Sequence, residues 1–114
     1  MDELERTTLK NHEQELIKNL TTDGWKAAPE EIDFEEELYC VKAQKKIYFF
    51  FNRIHVYILL KDVNKDNLKN IIDIVNDKFY KYHALWVIGD TFTKKVKEFA
   101  NDTQQIGLIQ VEVE

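Results

Sequence analysis

The apolar positions of this chain follow different rhythms along its length, and each rhythm predicts a different element. Leu9, His12, Leu16, Ile17 and Leu20 recur at helical spacing, which predicts a helix over about 3–21, stopped by Asp23-Gly24. Trp25 to Pro29 reads as an irregular acidic connection. Three strands are then expected over 37–43, 46–51 and 54–61, joined by short turns at Gln44-Lys45 and Asn52-Arg53. Ile47-Tyr-Phe-Phe-Phe51 and Val56-Tyr-Ile-Leu-Leu60 are apolar at every position, the mark of strands in the middle of a sheet covered on both faces.

Leu68, Ile71, Ile72, Val75, Phe79 and Tyr82 make one stripe along a second helix, capped by Asn64 or Asp66. Lys65, Lys69, Asp73, Asp77 and Lys81 fall on its wet face. A strand over 84–88 follows, then a cap at Asp90 or Thr91. A short helix to about Ala100 buries Phe92, Val96, Phe99 and Ala100, and a last strand covers 106–111. The order α-β-β-β-α-β-α-β predicts one α/β domain of mixed α+β type over residues 1–114. Three antiparallel strands pass into a parallel half, with helices on both faces of one mixed sheet.

Composition supports a core without staples. The chain has 114 residues, 44% of them hydrophobic, with seven Phe, five Tyr and two Trp. Three Gly and one Pro leave little material for long loops, for a nucleophile elbow or for a Gly-rich phosphate loop. The single cysteine, Cys40, excludes a disulfide framework and reads as a small buried hydrophobe. No signal-like start and no membrane-length apolar run is present, so an intracellular, cytoplasmic protein off the membrane is expected.

Charge is distributed unevenly. Residues 1–40 hold twelve acids and four bases, six of the acids within 30–37, whereas residues 41–105 hold twelve bases and seven acids. The net −5 therefore does not exclude a polyanionic partner. Lys42, Lys45, Lys46 and Arg53 lie among Tyr48 and Tyr57, a mixture that suits single-stranded nucleic acid through charge and stacking. Lys94, Lys95 and Lys97 form a second, weaker basic patch. His12, His55 and His83 lack metal-ligand spacing, so no metal site is expected from them.

Several segments together resemble the restriction-endonuclease-like superfamily with its PD-(D/E)xK signature, and its Mrr-type branch in particular. They are Glu15-Leu-Ile-Lys-Asn-Leu-Thr-Thr-Asp-Gly-Trp25, Val56-Tyr-Ile-Leu-Leu-Lys61, Val87-Ile-Gly-Asp-Thr-Phe-Thr-Lys-Lys-Val96 and Ile106-Gly-Leu-Ile109. The resemblance implies a nuclease fold in which an acid on the second strand, and an acid or Gln two before a third-strand lysine, hold a divalent metal. Lys61 fits the lysine, but Leu59 stands at the acid position, and Lys46, Ile47 and Tyr48 stand near the other. Glu15 matches a helix glutamate that some relatives use, and Asp62 adjoins Lys61.

The resemblance thus implies a degenerate nuclease fold, and the function expected is a binding or assembly module without a cofactor, homodimeric and associated with DNA or RNA through the Lys42–Arg53 region. One alternative is an active nuclease with a migrated site using Lys61, Glu15 and Asp62, with Asp33 or a carboxylate from 35–37, and Mg²⁺ or Mn²⁺. Another is a protein-binding adaptor presenting the acidic 30–37 segment. Exposed aromatic area on a small domain is the ground for expecting a homodimer.

Overall fold

The computed structural model describes residues 2–49 and 51–113. Helix α1 runs Glu3–Thr22 behind a capping box, in which the Glu5 N–H donates to Asp2 Oδ1 at 2.8 Å and the Asp2 N–H to Glu5 Oε1 at 3.1 Å. Asp23 closes the helix and Gly24 turns the chain at a φ of 90°, a conformation that costs glycine little.

The next segment departs from the sequence expectation. Lys26–Glu30 is strand β1, antiparallel to β2, Tyr39–Tyr48. Lys-Ala-Ala-Pro-Glu has poor strand propensity, and Pro29 is tolerated because β1 is an edge strand. The strands expected over 37–43 and 46–51 are one strand. Gln44 and Lys45 lie in mid-ladder opposite Ile54 and Arg53, and Asn52 and Arg53 belong to β3, Phe51–Leu59. The chain reverses between Tyr48 and Phe51, which pair with each other. Ile47, Tyr48, Phe49 and Phe51 are therefore not central in the sheet: they are 42%, 72%, 86% and 38% exposed at the hairpin tip. Phe50 lies outside the described residues.

Beyond β3 the elements fall close to expectation. Short β4, Asp62–Val63, leads into α2, Lys65–Lys78, capped by Asn64. β5 is Ala84–Gly89. Short β6, Thr91–Phe92, pairs in parallel with β4, so the α3 cap moves from Asp90 or Thr91 to Thr93, ahead of Lys94–Asp102. β7, Ile106–Gln110, completes a five-stranded sheet of order β1-β2-β3-β5-β7. β1, β2 and β3 are antiparallel, and β3, β5 and β7 are parallel.

The sheet carries a core on each face. Leu9 and Leu20 of α1 pack with Val41, Ala43, Tyr57, Leu59 and Ile88, while Leu68, Ile71 and Val75 of α2 and Val96 of α3 pack with Cys40, Val56, Ile58, Leu85 and Val87. Alternate residues of β3 thus feed opposite cores. Burying one such Leu, Ile or Val side chain contributes roughly 1.5–3 kcal/mol. The mixed α+β architecture, with helices on both faces, is compatible with a restriction-endonuclease-like fold.

Candidate functional site

Lys61 leaves the C-terminal end of β3, on the side of the sheet that α1 covers. Its Nζ pairs with the Glu5 carboxylate in the first turn of α1. Glu5 Oε2 meets the lysine and Oε1 accepts the Asp2 N–H, so both carboxylate oxygens are engaged. The hydrogen bond to Lys61, more than any other factor, holds the Glu5 carboxyl below the usual carboxylate range, and the same bond raises the lysine.

One residue along the helix, Arg6 grips Glu37 in a bidentate pair, Nη2 to Oε1 at 2.6 Å and Nε to Oε2 at 2.8 Å. That contact lowers the Glu37 carboxyl. Asp2, Glu5, Glu35, Glu36, Glu37, Lys61 and Asp62 line an open cleft of about 450 Å³ here.

Register sets which second-strand residues lie beside the Lys61 end. Leu59, fully buried, sits opposite Tyr39, so the residues beside the Lys61 end are Tyr39 and, two before it, Glu37. Lys46 lies at the far end of the ladder opposite Asn52, with Ile47 and Tyr48 beyond it. Glu15 is exposed on α1, ten residues past Glu5 and so roughly 15 Å farther along the axis. The structure brings Lys61 and Asp62 into one cleft and puts Glu5, not Glu15, against the lysine. Asp33 lines other surface depressions.

Among the described residues, no group of three or more His, Cys, Asp and Glu is arranged to hold a metal ion. The Glu5 and Glu37 carboxylates are each paired with a cation of this chain, whereas Glu35, Glu36 and Asp62 line the same cleft.

Of the four predicted nucleic-acid contacts, Lys45, Lys46 and Arg53 lie toward the other end of the β2–β3 ladder and Lys42 stands nearer the Lys61 end, opposite Val56, and the four divide between its faces. Lys45 and Arg53 are cross-strand partners on the α1 side. The Lys45 Nζ donates to the Asp23 carbonyl at 2.9 Å and lies 5.8 Å from the Trp25 ring centroid. Lys42 and Lys46 point to the opposite face by alternation.

The turn between α2 and β5 reaches this end. The Ile54 N–H donates to His83 Nδ1 at 3.0 Å, and the His83 ring meets Phe51 edge-on at 5.1 Å. Tyr80 on that turn is 82% exposed, with the Lys81 ammonium 5.2 Å from its ring centroid. His55 packs 4.7 Å from Trp25 and accepts from the Trp86 indole at 3.4 Å, and its burial lowers its pKa. Cys40 is buried, and desolvation pushes its thiol up to about 12, outside nucleophilic range at neutral pH.

The hairpin tip and Glu5 carried little signal in sequence. Phe49-Phe50-Phe51 resembles core, and Glu5 is one of several acids in a helix start.

No protein-family model and no curated protein matches this chain. Among solved structures, that of EndoMS in its apo form is similar with a TM-score of 0.55 and 14% identity, over 88% of this chain and 46% of that one. The chain thus spans about half the length of that structure, and the likeness is one of fold. No helix among the described residues is long and apolar enough to cross a membrane.

Proposed function

We propose that this chain is a non-catalytic binding module on a nuclease-like fold, with nucleic acid as its partner class. The observation that supports this most is the condition of the Lys61 end. A metal-dependent nuclease of the resembled type needs carboxylates with open lone pairs beside a lysine that can meet water or phosphate. Here Lys61 is taken by Glu5 and Glu37 by Arg6, and the position two before the lysine is the buried Leu59. A metal ion held by Glu5 and Glu37 would have to break both of these ion pairs. The likeness to EndoMS supports the fold part of this reading. Lys42, Lys45, Lys46 and Arg53, in a stretch from 41 to 57 without one carboxylate, support a polyanionic partner.

The test is cleavage of plasmid, single-stranded DNA and RNA in Mn²⁺ or EDTA, beside Lys61→Ala. No cleavage by folded protein is expected. Cleavage that needs both the metal and Lys61 overturns the reading.

A second reading, a nuclease with a migrated site, draws on one observation: Asp62, Glu35 and Glu36 share the cleft with Lys61. Glu15 has no part in that version. It predicts that Asp62→Asn abolishes Mn²⁺-dependent cleavage in the same assay.

A further inference from the structure

The end of the molecule opposite the Lys61 cleft combines two features that point to a partner. The first is apolar area: Tyr48 and Phe49 are 72% and 86% exposed at the hairpin tip, the Phe51 ring centroid lies 6.5 Å from that of Tyr48 and 5.1 Å from the His83 ring, and Tyr80, 82% exposed, is on the same turn as His83. Exposed rings gathered at one place mark a binding surface. The second is unbalanced positive charge. Lys46 and Arg53 flank the tip and Lys81 lies on the neighbouring turn, while residues 41–57 and 79–89 contain no carboxylate. The chain as a whole is −5, and its acidic cleft lies at the far end of β3, about 30 Å away along nine residues of strand.

We propose that the β2–β3 hairpin tip and the α2–β5 turn form a cation-flanked aromatic platform that binds single-stranded nucleic acid. The inference rests on the binding-module reading and names its partner and surface. Unpaired bases stack on the Tyr48, Phe49, Phe51 and Tyr80 rings, and backbone phosphates meet Lys46, Arg53 and Lys81. Every base has a π-face, so such a platform takes many sequences, and its affinity falls with salt as bound phosphates release counterions.

Charge selects this occupant over a second copy. A two-fold contact through the tip sets Lys46, Arg53 and Lys81 against their own copies, and a tip-to-cleft contact joins unlike ends and builds a ring or filament rather than a two-fold dimer. Anionic lipid headgroups offer the same rings and cations a competing partner, and the vesicle arm of the test separates that occupant from nucleic acid. A duplex presents no unstacked base to the rings.

The test is fluorescence anisotropy of the full chain with a labelled oligothymidylate of about 15 nucleotides in EDTA at low salt. Matched oligouridylate, duplex DNA and phosphatidylserine vesicles run alongside, with light scattering of the protein alone. Single strands should bind more tightly than duplex. Phe49→Ala should weaken binding about tenfold, and Arg53→Glu should weaken it and flatten the salt dependence, both variants keeping the wild-type circular dichroism.

No binding by folded protein overturns the platform, as does binding that neither variant changes. Vesicle capture lost in Phe49→Ala without oligonucleotide binding assigns the surface to a membrane. A dimer lost in the same variant without oligonucleotide binding assigns it to a second copy. Metal-dependent cleavage in the separate Mn²⁺ assay would sink the non-catalytic reading and leave the platform standing.

Discussion

Glu5 and Glu37 each carry their charge against a cation of the same chain, and this fixes how the Lys61 end responds to pH. Both carboxyls are held below their ordinary 4.5, Glu5 first by Lys61 and Glu37 first by Arg6. A depressed acid contributes stability that is present above its unfolded pKa and lost as pH falls through the folded one. Lys61 is raised, so its share is present below 10.5 and lost only as pH rises through its folded value. Glu37→Gln should therefore melt below wild type at pH 7, and the gap should close as pH falls below 4.5. A gap independent of pH from 7 to 3 would mean the Arg6 pair is not what holds the residue. Lys61 was legible in the sequence because a lysine ending an apolar strand has few readings. Its partner was not, because nothing local to Glu5 says that α1 crosses the sheet with its first turn, and not its middle, over the end of β3.

At the scale of elements, legibility followed periodicity and failed where tertiary pairing overrode local signals. The α2 stripe from Leu68 to Val75 and the buried run Val56–Leu60 are as the pattern predicts, whereas Phe79 is already the C-cap and Tyr82 lies in the turn beyond the helix. The order α-β-β-β-α-β-α-β agrees for the helices and the five-stranded sheet, yet through two offsetting errors, since β1 was unread and β2 was split, and the short β4 and β6 were not expected. Neither Gln44-Lys45 nor Asn52-Arg53 turns, since ladder pairing between β2 and β3 holds both pairs extended, and the reversal falls in a run of phenylalanines that carries no turn chemistry. The α3 cap slipped two or three positions for a similar reason. Thr91 and Phe92 are drawn into a short parallel ladder with Asp62 and Val63, so the first free cap is Thr93, whose side chain accepts from the Val96 N–H at 3.3 Å. Thr93→Ala should cost about 1 kcal/mol in chemical denaturation, and Thr91→Ala distinctly less. Equal losses would return the cap to Thr91.

For the whole molecule, one sheet is shared by two cores, and β3, like its neighbours β2 and β5, feeds both. Val56 and Ile58 face α2 and α3, whereas Tyr57 and Leu59 face α1. A strand filled from both sides cannot lose one layer and keep the other, because its ladder to β2 and β5 would then border water on a fully apolar face. The same strand carries the acidic cleft at one end and the aromatic, basic tip at the other, so the two surfaces sit on one rigid element. Cooperative unfolding across both layers is the expected consequence, and the tryptophans give a probe of it. Trp25 and Trp86 both pack on the α1 side, and Leu68 is buried on the other. Leu68→Ala should cost about 2–5 kcal/mol, and the midpoint followed by tryptophan fluorescence should shift as far as the midpoint followed by far-ultraviolet circular dichroism. A tryptophan transition left near its wild-type position, with the dichroism transition displaced, would show two layers that melt separately. It would also remove the rigid link between the tip and the cleft.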